Sequence, residues 1–587
     1  MLAQLSFLIL AGSLGQAPPE TAWLNAVPGD VDVVIRCRGL DATRNDLENM
    51  IKAMSPRLAE RAGPGLAGLL TQLEERHGEA AARTPWAGLI RVVPPGAQGG
   101  MPFAVLVMKG EYRDVLKAVS GGKEVPPLKP QGGGYDAFDS PQGDGTWYAA
   151  KGPGFVAFGP DERLVAAVAK PGEKSLDKVL TPALAKPFLA GDVGLYVNAA
   201  TLATRYADQI DQARQAMMAS LDQAGQQIGN AASMDAAKMI YGGLFDRLKD
   251  ADALTLDLDF AAEGLHLAGV LAVKADSDSA KAITASRTGT AADLGKLSAD
   301  SAFYAYTNME AKSFDRLQGM GMRMLNPGGK ATPEIDRAMA RFRAVGRVES
   351  IGATTIANGM RAVNVINVSD PKKFIAAIQA MLLAMKGGEG SLSIYKDVRI
   401  DADVETHRGF TFNHAVAKID LDKLEKLGGN NPAGATTMKS MFGGDSLSYW
   451  LGTDGKRVIQ VMTPTWDDAK ARIDAFLDGD AGIGTTPSYK AVRSLLPEQV
   501  SLLMLVNAQG LVRMFASQFA ATLNQPDLKP PGDLPKEPAL LGFSLTPRRP
   551  TGYEFHLVLP SRVGSVLEKG LVPLFQGMRG QAGKVEE

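Results

Sequence analysis

Residues 27–40 read VPGDVDVVIRCRGL, and the same grammar returns as LAGDVGLYVNAATL at 189–202, LSADSAFYAYTNME at 297–310 and LPEQVSLLMLVNAQGL at 496–511. Each copy has a small or acidic lead-in, an apolar stretch of strand length, and a polar residue placed to open a helix. A pattern that recurs along a chain decides its architecture before any single residue does. After each copy the order is also the same: a helical stretch, two strands joined by a turn, and a closing helix.

In the second copy, residues 201–249 carry apolar side chains at helical spacing, with Gly229-Asn230 expected to break them into a helical hairpin. ALTLDLDF (253–260) and GLHLAGVLAV (264–273) then alternate apolar and polar, as half-buried antiparallel strands do. Equivalent strand pairs are expected at 87–93 and 103–108, at 347–356 and 360–368, and at 539–545 and 553–559. Ser369-Asp370-Pro371 is an N-cap with proline in the first turn. Between the first two copies, residues 145–169 (GTWYAAKGPGFVAFGPDERLVAAVA) add a hairpin and a helix. Residues 446–477 repeat that order around Asp454-Gly455.

The expected fold is therefore α+β. Two duplicated halves, 22–287 and 295–576, each hold repeated β-α-(α)-β-β-α units forming antiparallel sheets, with helices against one face. Extra strands near 395–429 distinguish the second half, and 577–587 is read as a tail. A chain of 587 residues exceeds the roughly 250–300 residues at which single cores stop growing. Residues 1–17 resemble a secretory signal peptide. The apolar run LSFLILAG (5–12) is followed by Gly15 and Ala17, although no basic residue precedes it. The run is shorter than the ~20 apolar residues a membrane-spanning helix needs. The alternative is that the segment stays on as an anchor.

With 63 basic and 64 acidic residues the net charge is −1, which excludes a global electrostatic attraction to nucleic acid. The lone Cys37 lies in an apolar strand and is expected to be a small buried residue, neither a disulfide partner nor a nucleophile.

DADVETH (401–407) is the best candidate for chemistry. On a strand, Asp401, Asp403, Glu405 and His407 all point to one face and offer oxygen and nitrogen ligands to a divalent cation. Their spacing of about 6.5–7 Å is too long for one ion without ligands from elsewhere, so the wet face of a strand is preferred. His266 and His556 occupy matching places, GLHL and EFHL, and are read as a relic of duplication on a polar sheet face rather than a catalytic pair. His407 and His414 stand seven apart across a turn, not at the i, i+4 spacing of a helical zinc motif. Neither Gly-x-Ser-x-Gly nor His-Glu-x-x-His occurs. The Gly-rich stretches at 326–332 and 428–440 lack phosphate-loop spacing and read as loops. Asn198, Asn308 and Asn507, which close repeated strands, are read as helix N-caps.

DVGLYVNAATL, PFAVLVMKGEYRDVLKAV and residues 145–169 together resemble, at the level of pattern, a family of exported bacterial α+β proteins with no assigned activity. That resemblance implies a protein of the periplasm or cell envelope. It carries no catalytic, cofactor-binding or metal residue across, and none is assigned. The expected function is a non-enzymatic envelope protein that binds or scaffolds a partner through duplicated modules. The alternatives are a metal-dependent hydrolase with its site between the halves, and a carrier of an apolar ligand held between sheet and helices. The Met-rich stretches at 217–218 and 320–324 suggest the carrier.

Overall fold

The computed structural model describes residues 23–582, apart from 58, 61–83, 93–104, 121–123, 141–142, 144, 173, 229–241, 243–248, 313–332, 357–358, 387–394, 423–438, 440–441, 480–481 and 523–533. The signal-peptide segment 1–17, the Gly229-Asn230 break, the Met-rich 320–324 and most of the two Gly-rich stretches lie outside the described residues.

Ten strands belong to the first half: β1 (Val33–Cys37), β2 (Trp86–Ile90), β3 (Val105–Lys109), β4 (Lys129–Gln131), β5 (Tyr135–Asp139), β6 (Thr146–Gly152), β7 (Phe155–Gly159), β8 (Val193–Val197), β9 (Ala251–Ala261) and β10 (Gly264–Val273). Ten belong to the second: β11 (Phe303–Glu310), β12 (Arg347–Thr355), β13 (Arg361–Val368), β14 (Tyr395–His407), β15 (Phe410–Ile419), β16 (Ser446–Thr453), β17 (Arg457–Met462), β18 (Leu502–Asn507), β19 (Leu540–Arg548) and β20 (Gly552–Pro560). All twenty form one sheet. Across it the order is 4-5-6-7-3-2-1-8-9-10-20-19-18-11-12-13-17-16-15-14, and every neighbouring pair is antiparallel. Separate sheets were expected; a single continuous one is found, because β10 and β20 pair with each other along their length.

Read outward from that seam, the second half follows the strand order of the first with ten added to each number. The strands expected as extra material near 395–429 are β14 and β15, and they occupy the places of β4 and β5. The halves therefore differ here in strand length. β4 was missed in the sequence because it is three residues long and contains Pro130. The two outer edges are blunted. β4 carries Lys129 and Pro130, and β14 is bulged and heavily charged.

Helices cover both faces, not one. Leu164, Val165 and Val168 of the helix Glu162–Ala169 pack with Ala87, Val107, Ala157 and Ala150. Val115, Leu116 and Val119 of the helix Tyr112–Val119 pack with Leu106, Met108, Phe158 and Ala149. These two sets are alternate residues of the same strands, so they lie on opposite faces. We call them the first and second face. In the second half, the helix Trp466–Asp478 buries Ala469, Ile473 and Phe476 on the first face against Tyr304, Ile351, Val365 and Val461.

Local chemistry sets the helix ends. Asp161, Asp370 and Thr465 each accept the backbone N–H of the third residue of their helix, and Pro371 follows Asp370 as expected. Gly479, at φ 71°, closes Trp466–Asp478 in the left-handed region. Gly194 is needed for a different reason. A Cβ there would stand 2.1 Å from the Phe188 carbonyl oxygen, so its absence lets the helix Pro182–Ala190 lie against β8. The closing helix, Ser561–Ala582, runs past residue 576. Among the described residues no helix is long and apolar enough to cross a membrane.

Candidate functional site

The DADVETH segment forms the end of β14, but a bulge breaks its alternation. Asp401 stands opposite His414 and Glu405 opposite Phe412, so four residues of β14 advance against two of β15. Asp401, Glu405 and His407 keep one face, while Asp403 sits in the bulge at φ 50° and its N–H donates to Asn413 Oδ1 (2.9 Å). The side chains have separate partners. Arg399 Nε donates to Asp401 (3.0 Å), and His407 Nε2 bonds Asp474 of the helix Trp466–Asp478 (2.8 Å). Among the described residues, no three His, Cys, Asp or Glu side chains are placed to share a metal ion. His407 and His414 join an aromatic cluster. His414 stacks on Trp450 at 3.8 Å and 7°, Trp450 lies 4.8 Å from Trp466, and His407 meets the edge of Trp466 at 6.2 Å. Burial lowers the His414 pKa.

The matched histidines meet. His266 on β10 and His556 on β20 stack with ring centres 5.4 Å apart, and His266 Nε2 lies 3.2 Å from His556 Nδ1. Register explains this. Leu267 pairs with Leu557, its own counterpart in the second half, so the residues beside that pair are diagonal neighbours on one face. His556 Nε2 bonds Glu554 Oε1 at 2.9 Å, and Arg548 pairs with the same carboxylate. An ionised carboxylate can only accept, so His556 donates from Nε2 and a neutral His556 accepts at Nδ1 from His266 Nε2. Burial, then the neighbouring His556, holds His266 below the ordinary histidine range. Burial pushes Glu554 up, but His556 and Arg548 more than offset it and hold the carboxyl low. The surface-relic reading is corrected in one respect: the pair lies half-buried at the junction of the halves. The matching motifs GLHL and EFHL were the available signal.

Along the first face the polar chemistry continues into the first half. His266 stands opposite Asp259 on β9. Asp257, two residues back, is 4 % exposed and accepts the Gly191 N–H at 2.6 Å. Its carboxyl is pushed up to about 6, first by burial, with Gly191 and Arg36 pulling back and Asp259 and Asp192 adding to the rise. Asp192 is fully buried, accepts the Phe260 N–H (2.8 Å) and pairs with Arg38 (2.8 Å), which also pairs with Asp46 (2.5 Å). Asp32 repeats the arrangement: fully buried, it accepts from Val92 N (2.9 Å) and pairs with Arg205 (2.6 Å). The acidic lead-ins of the first two copies are thus buried anchors for backbone amides and arginines.

This charged zone ends in a cleft of about 270 Å³ lined by Trp23, Arg36, Arg38, Trp86, Lys109 and Phe155, with Leu189 and Ala190 at the end of the helix Pro182–Ala190. Arg36 donates to the Gly191 carbonyl at 2.9 Å. Sequence reasoning missed the cleft because its residues come from six separate stretches that only the fold brings together.

Two of the three asparagines act at helix starts. Asn198 accepts from Thr201 N (3.0 Å) and Asn507 from Gln509 N (3.1 Å). Asn308 does not. β11 runs on to Glu310, and Asn308 accepts from Arg347 Nε (2.9 Å) and donates to the Thr288 carbonyl (3.2 Å). Cys37 is buried, with its sulfur 3.6 Å from Thr43 Oγ1. Compared with known proteins, the chain matches no family model, no curated protein and no solved structure.

Proposed function

We propose that this is a non-enzymatic binding protein of the cell envelope that carries an apolar, acyl-type ligand on the second face of its central strands. One observation carries the reading. A cross-strand row on that face runs Ile35, Leu195, Leu256, Gly269, Phe555, Leu545 and Leu502, and a second row holds Val193, Leu258, Leu267, Leu557, Phe543 and Met504. Apart from Gly269, which is buried, and Met504, which is 40 % exposed, these side chains are half-buried. A packed core would bury them. The rows cross roughly 30 Å of sheet, at about 4.8 Å per strand. The helices Leu40–Met54 and Ser561–Ala582 pack on each other and on β9, β10 and β20 at their middle. Partial cover suits a thin, flexible chain better than a folded partner. Burial of ten methylenes at about 0.8 kcal/mol each supplies about 8 kcal/mol, from which the cost of ordering the chain is subtracted.

Envelope location rests on the apolar run at residues 5–12 and on the resemblance to exported bacterial proteins. Descent of the halves by duplication is supported by their common strand order and by the matched His266 and His556. A second reading, a protein partner docking on this face near β18, is favoured by the open side chain of Met504. The test is organic extraction and mass spectrometry of protein purified from its own envelope, with displacement of a fluorescent fatty acid. Recovered acyl chains and probe binding weakened by Leu267→Ser are expected. Protein that yields no lipid and ignores the probe would overturn the proposal.

A further inference from the structure

We infer, on the acyl reading, that the His266–His556 pair is an acid-sensitive latch: acid loosens the β10–β20 junction and releases the ligand held across it on the second face. β10–β20 is the strand pairing that joins the halves, and Leu267, Gly269, Phe555 and Leu557 carry the apolar rows over it. His266 and His556 alternate with those residues, so their rings lie directly beneath the rows, on the first face. Hydrogen-bond chemistry sets how many protons the pair accepts. At neutral pH His266 Nε2 donates to His556 Nδ1 at 3.2 Å, and His556 Nε2 donates to Glu554 at 2.9 Å. A first added proton, on His266 Nδ1, leaves both bonds in place. A second must go to His556 Nδ1, where two N–H groups then face each other and the bond is lost.

The surrounding charges do not hold a doubly charged pair. From β9, Asp259 stands opposite His266 and Asp257 lies diagonal to it; β20 supplies Glu554 and β19 supplies Arg548. Arg548 already pairs with Glu554, and Asp257, pushed up to about 6, takes its own proton as pH falls. Asp259 is then left facing two cations. The helices packed on this face of β10 and β19 add only positive charge. Lys186 of Pro182–Ala190 and Lys490 of Pro487–Ser494 are exposed, and Arg493 is bonded to the carbonyls of Leu496, Pro497 and Glu498. A second resting place for His556 exists. Ser544 stands opposite it on β19, fully buried, and its hydroxyl makes no hydrogen bond among the described residues. That oxygen can accept the Nδ1–H of a His556 turned away from His266.

The test is titration of the full chain with a fluorescent long-chain alcohol, which has no titrating group, at about pH 7.5 and about pH 5. Hydrogen exchange of peptides spanning β10 and β20 is read in the same samples. Probe affinity should fall about tenfold in acid, with loss of protection in both strands. His266→Gln should hold both nearly constant, because the glutamine amide can donate to a neutral His556 or turn and accept from a protonated one. An affinity that does not fall, or that falls equally in His266→Gln, would overturn the inference. A probe that binds at neither pH would count against the acyl reading, and exchange then decides the latch alone. Protection lost in acid only in the unmutated chain would support it; protection unchanged by acid, or lost equally in His266→Gln, would overturn it.

Discussion

Replacing Asp257 with asparagine should stabilise the region around β8 and β9 at neutral pH and leave it little changed in acid. The carboxyl is 4 % exposed and its pKa is raised from 3.8 to about 6. A raised carboxyl pKa means that the folded state binds a proton more tightly than the unfolded state does. Its favourable contribution is complete below about 3.8 and is lost as pH rises through 6. A shift of about 2 units at 1.36 kcal/mol each gives about 3 kcal/mol as the ceiling of that loss. Asparagine keeps an acceptor for the Gly191 N–H and carries no charge to desolvate. Local opening should be followed by native-state hydrogen exchange of peptides spanning 189–197 and 254–262, because a chain this long need not unfold in one step. The readout is how much the effect of Asp257→Asn changes between about pH 4 and pH 8, which cancels any constant offset from the amide. A change approaching 3 kcal/mol is expected. An effect equal at both pH values would refute the reasoning, as would a variant less protected at pH 8.

His266 works in the opposite direction. Its lowered pKa makes its contribution complete above the unfolded value of 6.5 and lost as pH falls below it, so His266→Gln should flatten that acid-side decline in protection of β10 and β20. Asp32→Ala should cost about 3 kcal/mol by leaving Arg205 and the Val92 amide without their acceptor, seen as a lower midpoint in urea; a loss under 1 kcal/mol would show the ion pair to be incidental. Gly194→Ala should destabilise by about 2 kcal/mol, because the new methyl meets the Phe188 backbone rather than a movable side chain. A neutral melting curve would mean that the helix Pro182–Ala190 shifts freely.

Much of the element order is legible in the sequence because it is local. The alternation in 253–273 gives β9 and β10, and Asp161 and Asp370 mark helix starts through side chains that bond within three residues. Pairing between distant strands is not written in that way. Nothing in GLHL alone says that β10 will meet β20, and with that pairing unknown the single sheet and the His266–His556 contact stay hidden. Helices on both faces were missed because strands β1, β3 and β7 have apolar residues at successive positions, which one-sided alternation does not describe. The Asp403 bulge was missed for a similar reason: period-two reasoning assumes a regular strand, and Asp403 turns to positive φ where β14 gains residues on β15. Asn308 was misread because the same residue type serves as a cap at Asn198 and as an acceptor for Arg347 here. Its place in the sheet is that of Arg38: the Asn308 N–H donates to the Ser501 carbonyl and the Arg38 N–H to the Asp192 carbonyl, each the residue just before the facing strand.

The Leu267–Leu557 pairing has a consequence for the halves taken singly. A strand that pairs with its own counterpart about a two-fold point is self-complementary, and the same edge can accept an identical copy. Its other edge, β4, is three residues long and bears Lys129 and Pro130. Residues 22–287 made alone should therefore associate as a symmetric homodimer through β10, with His266 stacked on its twin. In the full chain, covalent linkage turns that bimolecular encounter into an internal one, and the partner edge is always present.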